Sequence, residues 1–358
     1  MNGLSDPAYI ARIDSQKLRL RLQDFPAQCE KAWKMGLRIS LPVDYRNVER
    51  IVVLGMGGSA IAGDLLSDFL HRVDGPSIEV FRDYGLPGNL NENTLIIASS
   101  YSGNTDETLS GFREALRQSC KVIAITSGGI MGEEAKRAQI PLFQIDYTGE
   151  PRSALGFSLM LPLAILNQLH LIEDINPDIL KTTHFLNSLI QKEIGLKVPS
   201  SSNHAKQLAT DLQGRFPIFY AGDYFRGVAR RWKTQFNENS KVWSYWEAIP
   251  EVHHNAVMGY QMPDAIKKLA TIVLLRPRFL TPKMRLRYSI TEELLSSYAV
   301  DYRIIDGRGE TILAEILATT LLGDYTSFYL AILQGVNPVT TDAIDFIKST
   351  WQERNPSS

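Results

Sequence analysis

Two loops rich in serine and glycine follow two apolar runs in the first third of the chain. Ile51–Leu54 leads into Gly55-Met56-Gly57-Gly58-Ser59, and Leu95–Ser99 leads into Ser100-Tyr101-Ser102-Gly103-Asn104-Thr105. Each run predicts a buried parallel strand, and each loop opens onto a helical pattern, so that backbone N–H groups and hydroxyls would converge where an anion could sit. The loops therefore predict a phosphate site that contains no lysine.

The glycines and hydroxyls of these loops also occur in other kinds of site. Gly55-Met56-Gly57-Gly58 lacks the G-x-G-x-x-G spacing of a dinucleotide site, although Arg82-Asp83 after the next predicted strand leaves that alternative open. A Walker loop is excluded, because no Gly-Lys-Ser/Thr follows the strand. The hydroxyls of the second loop could cap a helix, but a cap needs one hydroxyl and Ser100, Ser102 and Thr105 offer three.

Composition and charge are those of an ordinary globular protein. The 358 residues carry a formal net charge of -1, which gives no broad electrostatic attraction to nucleic acid or anionic lipid. Two cysteines cannot build a disulfide framework, the N-terminus lacks the regions of a signal peptide, and no apolar run approaches a membrane span. We expect a cytoplasmic protein with a small-molecule partner, no nucleic acid and no membrane.

Alternating strand and helix patterns predict an α/β protein with two doubly wound lobes, each a parallel sheet flanked by helices. The predicted parts are an N-terminal helical segment (1–50), a first lobe (51–152), a helical connection (153–213) and a second lobe (214–358). Phe216–Asp223 and Thr271–Leu275 resemble the first lobe's strands and indicate a weak internal duplication. In the second copy Arg276-Pro277-Arg278-Phe279 replaces the serine loop, so only the first lobe keeps this phosphate chemistry.

The positions of individual elements follow from the same periodicities. First-lobe strands are predicted near 51–55, 77–82, 94–99, 121–126 and 141–145, with helices near 59–70, 104–118 and 131–138. A long buried helix is predicted over Thr311–Gln334, followed by a short terminal helix over Asp342–Trp351.

The serine loops resemble those of the sugar isomerase (SIS) domain. Pro151–Gly156, Phe236–Lys241 and Pro250–Asn255 narrow the resemblance to the bifunctional phosphoglucose/phosphomannose isomerases of archaea and some bacteria. The resemblance spans nearly the whole chain. It implies two SIS lobes. It also implies an isomerase that converts glucose 6-phosphate, and mannose 6-phosphate as well, to and from fructose 6-phosphate through a cis-enediol.

Taken position by position, the resemblance also implies which residues act. The substrate phosphate would be held by Gly58, Ser59, Ser100, Ser102 and Thr105. Glu238 would be the base, His254 the ring-opening histidine, and Arg152 would lie at the sugar or at the developing enediolate. Lys348 matches the family's terminal lysine, and Thr341 matches a threonine that lines the sugar site. A homodimer is implied as well, in which His254 could serve the neighbouring subunit.

These roles agree with the chemistry of aldose-ketose isomerisation. The reaction needs a base that carries a proton between C1 and C2, a group that moves a proton during ring opening, and a cation that stabilises the enediolate. A carboxylate, an imidazole and a guanidinium supply all three without a cofactor. His253-His254 could suggest a metal, but adjacent side chains rarely converge on one ion, so we expect metal-free catalysis.

Simpler roles stay open for several of these residues. Glu238 beside Lys241 could be a surface ion pair, Arg152 could be structural, and Lys348 could be a solvated lysine. The aromatic segment Val242–Trp246 is more typical of a half-buried strand or an interface than of a surface on which nucleic-acid bases stack. Phe157 stands where relatives often carry tyrosine, so no catalytic role is assigned to it.

Two other functions compete with an isomerase. A non-catalytic SIS protein that binds a sugar phosphate as a regulator would keep the serine loops but would need neither Glu238 nor His254. An enzyme of nucleotide sugars or of NAD would bind its cofactor, which calorimetry would detect.

Overall fold

The computed structural model describes residues 3–73 and 75–355. Residues 1, 2, 74 and 356–358, which belong to the predicted segments, lie outside the described residues. The N-terminal segment is helical, as expected, with α1 (Pro7–Ile13), α2 (Leu18–Gln23) and α3 (Phe25–Gly36). The α1 helix begins where Pro7 fits the first turn and the Asp6 carboxylate accepts the Ala8 and Tyr9 N–H groups.

The first lobe is a five-stranded parallel sheet. Its strands are β1 (Arg50–Leu54), β2 (Ser77–Phe81), β3 (Thr94–Ser99), β4 (Lys121–Thr126) and β5 (Leu142–Gln144), in the order β2-β1-β3-β4-β5. The connecting helices are α4 (Gly57–Leu70), α5 (Asp106–Ala115) and α6 (Gly129–Arg137). Strand order reverses between β1 and β3, where doubly wound sheets bind ligands, and the two serine loops follow these two strands.

Three helices connect the lobes: α7 (Leu155–Gln168), α8 (Asn176–Leu189) and α9 (His204–Asp211), with a π-helical turn over Ile190–Ile194. The α7 helix is apolar on all sides and packs against α3 and α4, so almost its whole length is buried. Leu161 of α7 belongs to the same continuous core as Ile51 of the first sheet and Phe219 of the second lobe. The two lobes therefore share one core.

The second lobe is a four-stranded parallel sheet. Its strands are β6 (Phe216–Gly222), β7 (Tyr245–Ile249), β8 (Ala270–Arg276) and β9 (Tyr302–Asp306), with helices α10 (Arg226–Glu238), α11 (Asp264–Leu269) and α12 (Pro282–Ser297). The strand order β7-β6-β8-β9 repeats β2-β1-β3-β4 of the first lobe. This topology supports the internal duplication, with β6 equivalent to β1 and β8 equivalent to β3.

Two helices complete the chain: α13 (Ile312–Gln334) and α14 (Asp342–Arg354). The expectation that no apolar run approaches a membrane span was wrong, because α13 contains an 18-residue window of mean hydropathy 1.4. The structure buries 89% of that window, since α13 packs against α8, α9 and α10. It is the buried helix predicted from the sequence, whereas α14 buries none of its residues.

Candidate active site

The first serine loop joins β1 to α4 and lies against Arg152. Gly57 has a φ of +49°, which glycine adopts without strain. A Cβ on Gly58 would lie 3.0 Å from the Pro151 carbonyl oxygen and 3.2 Å from the Arg152 Cα. Ser59 is buried in the first turn of α4, where its N–H donates to the Met56 carbonyl at 3.1 Å. The small residues thus allow this loop to approach Arg152 closely.

The hydroxyls of the second serine loop bond within the loop. The Ser100 and Thr105 hydroxyls lie 2.9 Å apart, and the Ser102 Oγ accepts the Asn104 N–H at 3.2 Å. Thr105 is the N-cap residue of α5, but its side chain makes no hydrogen bond to the helix. The N-terminal N–H groups of α5 are therefore not occupied by the cap side chain and can face an anion.

A third loop, Ser127–Ile130 after β4, holds the second serine loop in place. Gly103 has a φ of +69°, and a Cβ there would lie 1.9 Å from the Gly128 carbonyl oxygen. The Ser127 Oγ donates to the Tyr101 carbonyl at 2.6 Å, and the Ile130 N–H donates to the Asn104 Oδ1 at 3.0 Å. This loop was not predicted from the sequence, although Gly128-Gly129 after a predicted strand was a usable signal.

Arg152 connects the first lobe to the second. It lies in the turn before α7, is 3% exposed, and makes a hydrogen bond from each nitrogen of its guanidinium, with Nη1 contacting only Glu238 among the described residues. Nε donates to the Asn239 Oδ1 at 2.8 Å, and Nη2 donates to the carbonyls of Pro338 and Val339 at 2.8 and 3.0 Å. Burial lowers the pKa of Arg152, while Glu238 opposes that shift. An arginine so placed remains a cation near neutral pH.

Glu238 is the last residue of α10, and its carboxylate pairs with Arg152. Oε2 lies 3.3 Å from the Arg152 Nη1, and the side chain is 27% exposed. The Lys241 ammonium donates to the Glu238 carbonyl and, at 2.8 Å, to the Thr340 carbonyl. The ion pair of Glu238 is thus with buried Arg152, and the surface pair with Lys241 considered from the sequence is absent among the described ion pairs. Burial, followed by the charge of Arg152, lowers the pKa of Lys241.

A buried polar network supports Arg152 from behind. The Arg231 guanidinium donates to both Asp324 oxygens at 3.1 and 2.9 Å, and its Nη2 also donates to the Arg152 carbonyl at 2.8 Å. The Asn239 Nδ2 donates to the Ser327 Oγ at 3.0 Å. These residues were not predicted from the sequence. Asp324 was a signal, because a carboxylate inside an apolar helical pattern requires a buried partner.

Thr341 lies at the end of the segment that contacts Arg152. It is the N-cap residue of α14, and its hydroxyl donates to the Asp345 carboxylate at 3.2 Å. The preceding carbonyl, of Thr340, accepts from Lys241. The structure therefore brings Gly58, Arg152, Glu238 and the segment 338–341 into one neighbourhood at the junction of the lobes.

Among the described residues, no hydrogen bond or ion pair links His254 or Lys348 to this neighbourhood within one chain. His254 is exposed at the end of the short helix Glu251–His254, and no described hydrogen bond or ion pair joins it to Arg152 or Glu238. Lys348 is exposed on α14. His253 instead has a structural position, since its Nε2 lies 2.8 Å from the Thr291 hydroxyl. Burial and then the nearby Arg287 lower the pKa of His253.

Side chains that could bind a metal do not cluster in the part of the chain that the structure describes. Among residues 3–73 and 75–355, no set of three or more His, Cys, Asp or Glu side chains could hold a metal ion. Metal-free catalysis stays a prediction, to be tested with a chelator.

Comparison with protein families matches both lobes. Residues 44–142 match the SIS domain, and residues 201–350 match the bacterial phospho-glucose isomerase C-terminal SIS domain. A bifunctional phosphoglucose/phosphomannose isomerase from Caldicellulosiruptor bescii is 36% identical over 331 residues, which cover 92% of this chain and 97% of the relative. Its counterpart from Aquifex aeolicus is 35% identical over 300 residues, covering 83% of this chain and 89% of the relative.

The fold has solved counterparts. The structure of a hypothetical protein from Thermus thermophilus superposes with a TM-score of 0.74 at 16% sequence identity, over 97% of this chain and 94% of that one. That likeness supports the fold of two parallel sheets flanked by helices. Sequence identity to the curated relatives extends over both lobes. The chain belongs to the bifunctional phosphoglucose/phosphomannose isomerase family.

Proposed function

We propose that this protein interconverts glucose 6-phosphate and mannose 6-phosphate with fructose 6-phosphate through a cis-enediol. The observation that carries the proposal is the pair of Glu238 and Arg152, 3.3 Å apart, beside the Gly58 loop. The names of the curated relatives contain both activities, which supports an enzyme with both substrates. The comparisons give no support to a non-catalytic regulator.

The phosphate of the substrate would occupy the space between the serine loops. Ser59 and Ser100 are buried there, while Ser102 is exposed and Thr105 is half-buried. Hydroxyls and the N-terminal N–H groups of α4 and α5 would donate to the phosphate oxygens. The site would bind the dianion through neutral donors, which leaves the cation Arg152 for the sugar.

Proton transfer would be carried out by Glu238 at the sugar end of the site. In the opened aldose, its carboxylate would remove the proton on C2 and return it to C1, while Arg152 stabilises the negative charge that develops on the enediolate oxygens. Both aldose epimers give the same enediol, because C2 is planar in it. Accepting both requires rotation about C2–C3 of the opened sugar, and the small Thr341 would leave room for it.

We also propose a homodimer in which His254 acts in the site of the partner. The α14 helix is exposed along its length and carries apolar side chains in solvent, with Phe346 69% and Ile347 66% exposed. An isolated helix of 13 residues is marginal in water, so a packing partner is needed to hold it. Met258 and Met262, close to His254 along the chain, are also exposed. A second copy of this chain would cover these apolar surfaces.

Lys348 would come to the site through the same assembly, because α14 carries it. Within one chain, the lysine next to Glu238 is Lys241, whose ammonium donates to the Glu238 carbonyl. A cytoplasmic location and a place in central carbohydrate metabolism follow from the proposed substrates, since phosphorylated sugars are metabolites of the cell interior.

The base assignment is tested by the Glu238→Gln variant. Loss of a general base lowers turnover by roughly a hundredfold to ten-thousandfold, so we expect kcat to fall in that range while the Kd for fructose 6-phosphate changes less than threefold. Glu173→Gln removes the same charge at an exposed position and serves as the control. Unchanged turnover in Glu238→Gln would refute the assignment.

Shared catalysis is tested by co-expressing Glu238→Gln and His254→Asn chains. If His254 acts across the interface, one site of each mixed dimer contains both native residues, and random pairing restores about a quarter of the wild-type activity. If His254 acts within its own chain, every site lacks one residue and no activity returns. A fully active monomer in sedimentation experiments would also exclude shared catalysis.

A further inference from the structure

A cavity of about 680 Å³ lies at the carboxyl edge of the second sheet. Its walls come from the loops after β8 and β9, the start of α13 and one side of α8. No residue that lines it belongs to the candidate active site. In the repeated strand order, β8 corresponds to β3 and β9 corresponds to β4. The cavity therefore occupies the place in the second lobe that the second serine loop occupies in the first lobe.

The charge of the cavity wall is positive. Lys181, Arg278 and Arg308 line it, together with the acidic Glu310. Arg308 is compensated, since its Nη2 donates to Glu193 at 2.9 Å.

Lys181 and Arg278 differ from Arg308 in their surroundings. Among the described residues, no carboxylate lies within ion-pair distance of either side chain. The Arg278 Nη1 donates only weakly, to the Gly309 carbonyl at 3.3 Å. The Glu315 carboxylate behind the loop accepts the Arg278 backbone N–H at 2.5 Å and the Tyr224 hydroxyl at 2.8 Å. Burial raises the pKa of Glu315 and the charge of Arg278 opposes that shift, so the two groups attract each other without forming an ion pair. Neither Lys181 nor Arg278 is therefore held in an ion pair among the described residues, and both can reach a ligand in the cavity.

A buried hydroxyl on the wall lacks a partner. Thr182 is 2% exposed and lines the cavity, and its Oγ1 makes no hydrogen bond among the described residues. The neighbouring Thr183 shows the usual arrangement, because its hydroxyl donates to the Leu180 carbonyl at 3.1 Å. Five other buried polar atoms among the described residues also lack a partner, so the Thr182 hydroxyl is compatible with a bound group but does not by itself indicate one.

The rest of the wall suits a small anionic metabolite. Thr311 and Ala314 place the N-terminus of the 23-residue helix α13 on the wall. The Thr311 hydroxyl already accepts the Ala314 N–H at 3.2 Å, so this terminus contributes its dipole to the cavity rather than a free N–H of Ala314. Phe185 adds an apolar surface against which carbon atoms can pack. We propose that this cavity binds a phosphorylated small metabolite, with Lys181 and Arg278 on its phosphate, separately from the substrate. The proposal does not depend on the isomerase activity.

Calorimetry with inorganic pyrophosphate tests the site. The full chain would carry Ser102→Glu, which places a negative charge in the first-lobe loop and disfavours binding there. We expect one pyrophosphate per chain in this background, and at least tenfold weaker binding when Lys181→Gln and Arg278→Gln are added. Lys197→Gln with Lys283→Gln removes equal charge outside the cavity wall, so affinity should then stay within twofold.

Three results would contradict a phosphate site in this cavity. Absence of binding at millimolar pyrophosphate, or equal affinity in the cavity and control variants, would overturn the proposal. Tighter binding of citrate than of pyrophosphate would overturn the phosphate class in favour of a polycarboxylate. If the cavity variant does not fold, acylation of Lys181 is measured by mass spectrometry in the Ser102→Glu background. Pyrophosphate should slow it at least fivefold relative to Lys197, and no protection would contradict the site.

Discussion

Replacement of Arg152 by lysine isolates the role of its guanidinium from that of its charge. Arg152 makes contacts at 2.8, 3.3, 2.8 and 3.0 Å with groups on two separate segments of the chain, residues 238–239 and 338–339. A lysine ammonium is a compact point charge, and its three N–H donors on one nitrogen cannot reproduce the planar guanidinium fork, so it should keep about one of these contacts. At about 1.5 kcal/mol for each of about three lost hydrogen bonds to a charged group, the variant should lose about 4.5 kcal/mol of unfolding free energy.

That loss would be a large part of the stability of a typical domain, which is about 5–15 kcal/mol. Equilibrium urea unfolding measures it, and the coupled isomerase assay measures turnover in parallel, where we expect at least a tenfold fall in kcat. Arg117→Lys, at an exposed arginine, is the control and should change the unfolding free energy by less than about 0.5 kcal/mol, as is usual for surface substitutions. A loss below about 1 kcal/mol in Arg152→Lys would refute the view that this residue joins the lobes.

Two further predictions concern the loops and the junction of the lobes. Gly103→Ala should destabilise the chain by roughly 1–3 kcal/mol and raise the KM for fructose 6-phosphate at least tenfold, because its Cβ would lie 1.9 Å from the Gly128 carbonyl oxygen. Gly88→Ala, with open space around it, should be neutral in unfolding and in KM. Burial raises the pKa of Asp68 to about 7, so the folded chain binds this proton more tightly than the unfolded chain and stability falls as the pH rises from about 4 to about 7. Asp68→Asn keeps an acceptor for the Gly227 N–H and should remove that fall in stability. In urea unfolding, we expect the variant to be more stable than the wild type by up to about 4 kcal/mol at pH 8 and equally stable near pH 4. A parallel pH dependence in both proteins would contradict this assignment.

The fold was largely predictable because its strands are apolar runs of ordinary length. Strands β1 to β5 lie where the runs near 51–55, 77–82, 94–99, 121–126 and 141–145 predicted them. Helix boundaries were less accurate, since α5 ends at Ala115 and α6 begins at Gly129. Strand β9 (Tyr302–Asp306) was not predicted, because an edge strand that is only half buried lacks a continuous apolar run.

The candidate site was predictable only where its residues belong to contiguous motifs. Glu238 and Arg152 each stand in such a motif, and the structure places their side chains together. The Arg231–Asp324 pair and the Lys241 contacts join segments far apart in sequence, and a single sequence contains no record of such proximity. His254 and Lys348 make no described hydrogen bond or ion pair with these residues within one chain, and their proposed roles depend on an assembly of two.

The central claim is that one metal-free site isomerises both aldose phosphates. The direct measurement is a coupled assay that follows fructose 6-phosphate formed from glucose 6-phosphate and, separately, from mannose 6-phosphate, each with and without a chelator. We predict turnover of both substrates at rates that the chelator leaves unchanged. Turnover of neither substrate, or activity that the chelator abolishes and added metal restores, would contradict the account.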